Sequence, residues 1–138
     1  MIVVDTGPLV ALVNSSDADH KRCVQWIETA NEPLLVPNTV LTEVCYLLQR
    51  RCGSKVEARF LRELAADDRF ALVPILGEDL PRVAELIETY QDFPLGGADA
   101  SVVTVAERLG VSRIATLDRR HFSVVRPKHL RTFTLLPE

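Results

Sequence analysis

Short apolar runs alternate with longer, helix-patterned segments along the whole chain, and this alternation restricts the fold more than any other feature. Strand-like runs occur at Ile2–Val4, Leu34–Val36, Phe70–Val73, Arg113–Leu117 and Thr132–Leu136. "IVV" is apolar at every position, as in a strand covered on both faces. The segments between the runs carry helical periodicity, and parallel strands need crossovers of that length. The pattern predicts an α/β fold, with a single domain over residues 1–138 and a central parallel β-sheet of about five strands flanked by helices on both faces.

Local signals punctuate the helices. Gly53 is placed to end a helix that runs from Asn38 to Arg51, and Ser54 with Glu57 has the spacing of a capping box for the next one. Asp79 followed by Pro81 marks a further helix start, and Gly110 ends a helix that begins near Ala98.

Hydrophobic residues make up 47% of the 138 and charged residues 25%, enough apolar surface for one core and too much for a disordered chain. No linker, repeat or low-complexity tract interrupts it. The start lacks a basic stretch leading into an apolar segment with a cleavage site, and no apolar run is long enough to cross a bilayer. The expected location is cytoplasmic, without a membrane partner. Cys23, Cys45 and Cys52 show neither C-x-x-C spacing nor zinc-like pairing with His20, His121 or His129. On one helix Cys45 and Cys52 stand roughly 10 Å apart along the axis, beyond disulfide reach, so the cysteines read as reduced and inert.

Acidic residues fall at telling places on this map. Asp5 closes "IVV" and Asp118 closes "RIATL". Glu43 lies at the edge of the apolar arc formed by Val40, Leu41, Val44, Leu47 and Leu48, and is expected to point toward the sheet. Asp99 stands in the first turn of its helix, ahead of Val102, Val103 and Ala106. A parallel sheet brings all four positions to the edge formed by the carboxyl ends of its strands, where α/β proteins bind ligands. Four carboxylates at one edge repel one another and call for a cation. An all-oxygen set selects a hard ion, Mg²⁺ or Mn²⁺.

The net charge of −3 does not mark a polyanion binder, but its distribution is uneven. Residues 113–138 carry +4 and residues 1–112 carry −7. A second basic cluster comprises Arg50, Arg51, Lys55, Arg59 and Arg62, opposed only by Glu57.

Four stretches, "VVDTGPLVAL", "TEVCYLL", "LGGADASVVTVAERLG" and "IATLDRRHF", resemble the PIN-domain ribonucleases, in particular the short VapC-type toxins of toxin–antitoxin pairs, from Ile2 to Leu136. The resemblance implies a metal-dependent endoribonuclease that hydrolyses RNA phosphodiester bonds. It makes Asp5, Glu43, Asp99 and Asp118 the catalytic acids that hold one or two Mg²⁺ or Mn²⁺ ions, with Thr6 and Thr116 supporting them. Arg119, Arg120 and Arg126, close behind Asp118 in sequence, are the candidate RNA contacts. The implied partners are an RNA substrate, a second copy in a homodimer and a VapB-type antitoxin whose tail covers the acids. The helical pair around Arg50 to Leu64, with Val56, Phe60 and Leu64 on one face, is the surface nominated for the antitoxin. The family commonly has serine or asparagine where this chain has Gly7, which leaves Thr6 to supply that contact. Many relatives also carry bulkier residues at Gly96 and Gly97.

Other classes fit less well. A haloacid-dehalogenase-type phosphatase needs a second aspartate where Gly7 stands, and a response-regulator receiver needs an aspartate where Pro74 follows "FALV". No phosphate-binding glycine loop is present. The alternative from a different class is a non-catalytic PIN-like module that binds RNA or protein, although such a binder gains nothing from keeping four acids together.

Overall fold

The computed structural model describes residues Met1 to Glu138. The first apolar run becomes strand β1 (Ile2–Val4), followed by α1 (Thr6–Val13), α2 (His20–Thr29), β2 (Leu34–Pro37), α3 (Asn38–Cys52) and α4 (Ser54–Ala66). The chain continues through β3 (Phe70–Val73), a 3-10 turn (Gly77–Asp79), α5 (Leu80–Thr89), α6 (Gly97–Leu109), β4 (Arg113–Ala115), α7 (Arg119–Val124) and β5 (Thr134–Leu136). All five strands pair in parallel in the order β3-β2-β1-β4-β5. Val3 lies opposite Leu35 on one side and Ile114 on the other. The most apolar run thus takes the centre, and all its residues are buried.

The strand order carries a topological consequence. From β1 the chain builds outward through β2 to β3, then returns across β1 to lay down β4 and β5. Because crossovers are right-handed, this reversal sends the helices before β3 and those after it to opposite faces. The core joins both layers: Leu9, Val40, Val44 and Leu48 from α1 and α3 meet Leu86, Val102, Val103 and Phe122 in one cluster. Full burial of such side chains supplies roughly 1.5–3 kcal/mol each, the main term against chain entropy.

Several expectations shift in detail. Strand β4 stops at Ala115 rather than Leu117; the Thr116 amide still donates to the Leu136 carbonyl at 2.8 Å, and the chain then turns. Strand β5 begins at Thr134, not Thr132. The Ser54–Glu57 capping box does not form, because Ser54 is already inside the helix and Gly53 takes the cap position. Gly53 serves two helices at once: its amide donates to the Leu48 and Gln49 carbonyls, while its carbonyl accepts from the Glu57 amide. Its φ of 89° and ψ of 172° belong to a region that side-chain-bearing residues avoid. Asp79 stands at the cap position of α5 but makes no side-chain bond into that helix; its Oδ2 instead accepts from the Leu76 amide of the preceding 3-10 turn at 2.8 Å, and its Oδ1 receives Arg108 from α6 at 3.2 Å.

The face nominated for an antitoxin on α4 points inward. Phe60 is buried, and Val56 and Leu64 pack against the core, so ordinary packing explains their spacing. The three cysteines are free, as expected. Burial, with Asp19 nearby, pushes the Cys23 thiol up to about 11, which keeps it protonated and inert. No helix is long and apolar enough to cross a membrane.

Gly53→Ala is expected to lower the unfolding free energy by about 2 kcal/mol in urea titration, since alanine must enter that strained region. An unchanged midpoint would show that the α3–α4 corner relaxes freely.

A candidate active site at the carboxyl edge of the sheet

Strands β1 and β4 are neighbours whose onward connections run in opposite directions, so the gap above their carboxyl ends is the switch point of this sheet. Asp5 follows β1 directly. Asp118 lies beyond the end of β4, in the turn into α7, rather than closing the strand itself. Glu43 reaches the same place from the second turn of α3, and Asp99 from the first turn of α6. All four line one open cavity of about 520 Å³.

Asp5 is the buried member, only 5% exposed. Its backbone is fixed by donation to the Ala115 carbonyl at 2.9 Å, and its Oδ2 accepts from the Thr116 hydroxyl at 2.9 Å. It occupies the cap position of α1 yet makes no side-chain cap bond, which removes the bland explanation for an aspartate there. Asp5 Oδ1 and Thr6 Oγ1 are buried and have no protein partner. Thr116 also accepts from the Asp118 amide at 3.0 Å, so one hydroxyl ties the two strand-end acids together.

Asp118 is the acid that does act as a cap. Its Oδ1 accepts from the His121 amide at 3.3 Å, while Oδ2 lies 2.6 Å from His121 Nδ1. The imidazole leans on Phe93, with ring centroids 4.6 Å apart. Sequence reasoning did not single out His121 for this role, although a histidine three residues after a cap aspartate was the available signal. Glu43 departs from expectation in one respect: it is exposed on the rim, and the core-facing stripe of α3 is Val40, Val44 and Leu48.

Three further charged residues line the cavity: Asp17 and Asp19 from the α1–α2 connection, and Arg51 from the end of α3. None was a candidate for the site on sequence, because the α1–α2 connection carries no motif and Arg51 read as part of a solvated cluster. Arg119, Arg120 and Arg126 do not line the cavity. Arg119 donates to the Pro137 carbonyl, Arg126 folds onto the Ser123 carbonyl, and Arg120 lies over the Phe93 ring at 5.5 Å.

Gly7 has a packing reason. A Cβ there would meet the Leu117 Cβ at 3.2 Å, so a side chain at this position would press Leu117 back by a few tenths of an ångström. Gly96 and Gly97 have no such constraint; a Cβ would meet only Asp99 Oδ2, at 3.9 Å from Gly96, and nothing at Gly97.

The electrostatics follow from this crowding. Burial, then the charge of Asp99, pushes the Asp5 carboxyl up to about 7; Glu43 adds to the effect, while the Thr6 amide and Thr116 hydroxyl oppose it. Asp99 is raised as well, by burial first and by Asp118 and Glu43, against the Gly96 amide and His121. Carboxyls in this state are relieved by a cation. The donors are all oxygen, and a buried lone pair on Asp5 is free, which suits a hard divalent ion. No three acidic, cysteine or histidine side chains stand close enough together to form a ready ligand set.

The sign of the resulting pH dependence is fixed by the direction of the Asp5 shift. From its ordinary 3.8 up to about 7, the folded protein holds a proton that the unfolded chain has lost, so stability falls as pH rises through that window. In the absence of divalent ions the unfolding free energy should drop by roughly 2–4 kcal/mol between pH 4 and pH 7.5, and Asp5→Asn should flatten most of that fall. Urea titrations at the two pH values check this; equal slopes in wild type and variant would sink it.

Comparison with known proteins agrees with the geometry. A family model described as the PIN domain matches residues 2–127. Ribonuclease VapC26 of Mycobacterium tuberculosis is 35% identical over 136 residues, which is 99% of this chain and all of that relative. Among solved structures, Mycobacterium tuberculosis VapC20, a sarcin–ricin loop cleaving toxin, superposes with a TM-score of 0.77 at 21% identity, covering 83% of this chain and 87% of that one. VapBC2 from Rickettsia felis, bound to a DNA fragment from its promoter, gives a TM-score of 0.70 at 15% identity, covering 99% of this chain and all of that one. The sheet order, the acids above its switch point and these matches agree: the chain belongs to the PIN-domain family.

Proposed function

We propose that this protein is a metal-dependent endoribonuclease and the toxin of a VapBC-type toxin–antitoxin pair. The observation that carries the reading is the meeting of Asp5, Glu43, Asp99 and Asp118 in one cavity, with a buried Asp5 oxygen left without a partner. The 35% identity to Ribonuclease VapC26 across nearly the full chain supports the substrate class.

The four acids are the metal ligands, directly or through water, and each is positioned differently. Thr116 holds Asp5 so that its second oxygen stays free. The turn into α7 and the His121 imidazole hold Asp118 in one orientation. Asp99 and Glu43 stand on separate helices, α6 and α3, that contact each other, so the rim has a fixed width. Thr6, buried beside Asp5 with a spare hydroxyl, supports the same set. A bound Mg²⁺ or Mn²⁺ supplies Lewis acidity, making water nucleophilic near neutral pH and screening the phosphate.

Arg119 and Arg120, exposed at the start of α7 directly after Asp118, serve as outer contacts to the RNA backbone, with Arg126 farther along. A VapB-type antitoxin is the partner that silences the site, and a basic side chain from it satisfies the acids when metal is absent. The protein acts as a homodimer.

End-labelled total RNA, incubated with wild type and with Asp99→Asn in Mg²⁺, Mn²⁺ or EDTA, tests the function. Discrete cuts by wild type with metal, loss of at least about 100-fold in the variant, and ends bearing 5′-phosphate and 3′-hydroxyl are expected. A 2′,3′-cyclic phosphate end excludes water as the nucleophile. Divalent ions should also raise the melting temperature of wild type and leave Asp99→Asn nearly unmoved; no shift in wild type, together with no cutting, would favour the non-catalytic module.

A further inference from the structure

The basic cluster at the α3–α4 corner has no role in the chemistry described so far. Its members behave differently in the fold. Arg50 turns onto Tyr46, donating to the phenol oxygen at 3.1 Å with its guanidinium 5.6 Å from the ring centre. Arg59 reaches the Val13 carbonyl and Glu63. Lys55 and Arg62 are exposed and lie away from the acidic cavity. Arg51 alone lines that cavity, as the single base among six acids, and forms an ion pair with none of them.

Its position follows from helix geometry. Glu43, Leu47 and Arg51 follow each other at four-residue intervals, so they share one face of α3, and all three line the cavity. Glu43 and Arg51 are about 12 Å apart along the axis, so they enter the cavity at opposite ends of the wall that α3 provides. Cα–Cβ bonds on a helix tilt toward its amino end, so the Arg51 stem leaves α3 on the side of Glu43. The helix itself is anchored by Val40, Val44 and Leu48, so this spacing is rigid.

We infer that Arg51 is a substrate-positioning residue of the same site, binding a backbone phosphate flanking the one to be cut and directing the RNA strand over the carboxyl-terminal half of α3. The inference rests on the ribonuclease reading above and adds the strand's path to it. The charge balance requires such a group. Even one or two divalent ions leave six carboxylates short of neutrality, and a polyanion needs a fixed positive anchor to stay in such a cavity. A guanidinium offers two parallel donors to phosphate oxygens, a geometry that lysine does not reproduce. The α1–α2 side presents Asp17 and Asp19, with only Asp19 having a cation, Arg22, within 3.6 Å. A strand is therefore repelled there and drawn to α3.

The test compares wild type, Arg51→Ala and Arg51→Lys in two assays. Cleavage of an RNA that wild type cuts is followed with Mg²⁺. Binding of a labelled single-stranded poly(U) oligonucleotide is measured with Ca²⁺ over a range of salt. Arg51→Ala should raise KM and the dissociation constant about tenfold, lower kcat far less, and reduce the salt slope by about 0.7, the value for one phosphate contact on a single strand. Arg51→Lys should restore the slope and only part of the affinity. An unchanged KM and salt slope in Arg51→Ala overturns the inference, as does a loss confined to kcat or a failure of wild type to bind poly(U). If wild type cuts no RNA, the ribonuclease reading falls by itself. The binding assay then still decides whether Arg51 holds a phosphate.

Discussion

The structure depends on one strained arrangement: a carboxylate buried at the end of the central strand, with other carboxylates around it. Asp5 cannot leave, because its backbone is part of the β1–β4 ladder and its side chain is held by Thr116. Nor can it be satisfied by the protein, since Oδ1 has no partner. The rest of the edge accommodates this tension. Thr116 shares its hydroxyl between the two strand-end acids, Gly7 lets α1 close against Leu117, and His121 steadies Asp118 from outside. The opposite layer is tied by more ordinary means, with Arg82 bridging α5 to Glu107 on α6 through two 2.8 Å bonds and Glu107 receiving the Lys128 amide.

Much of this was legible in the sequence, for identifiable reasons. The strands announce themselves as short, uniformly apolar runs, and once they are parallel the acids that follow them must share an edge. That logic brought Asp5 and Asp118 to one edge, and helix position added Asp99 and Glu43, although Glu43 stands exposed on the rim and not against the sheet. What stayed hidden depends on contacts between distant segments. Arg51 and Asp19 are far apart in sequence, and only the packing of α1 against both α2 and α3 brings them to one cavity.

Local pattern also misled where two readings share one spelling. Ser54 and Glu57 have capping-box spacing, but Gly53 can enter a backbone region closed to serine and so takes the cap itself. Val56, Phe60 and Leu64 form an apolar stripe that equally suits a docking face and a core face, and burial decides for the core.

The confinement of all the chemistry to one edge of the sheet has an evolutionary consequence. At that edge a sturdier fold and the retention of Asp5 and Asp99 pull against each other, because burial and neighbouring carboxylates disfavour the charged form of both in the metal-free protein. Neutral substitutions at Asp5 or Asp99 therefore meet no folding barrier, and a lineage can lose the charge of this edge in a single step while keeping its architecture intact.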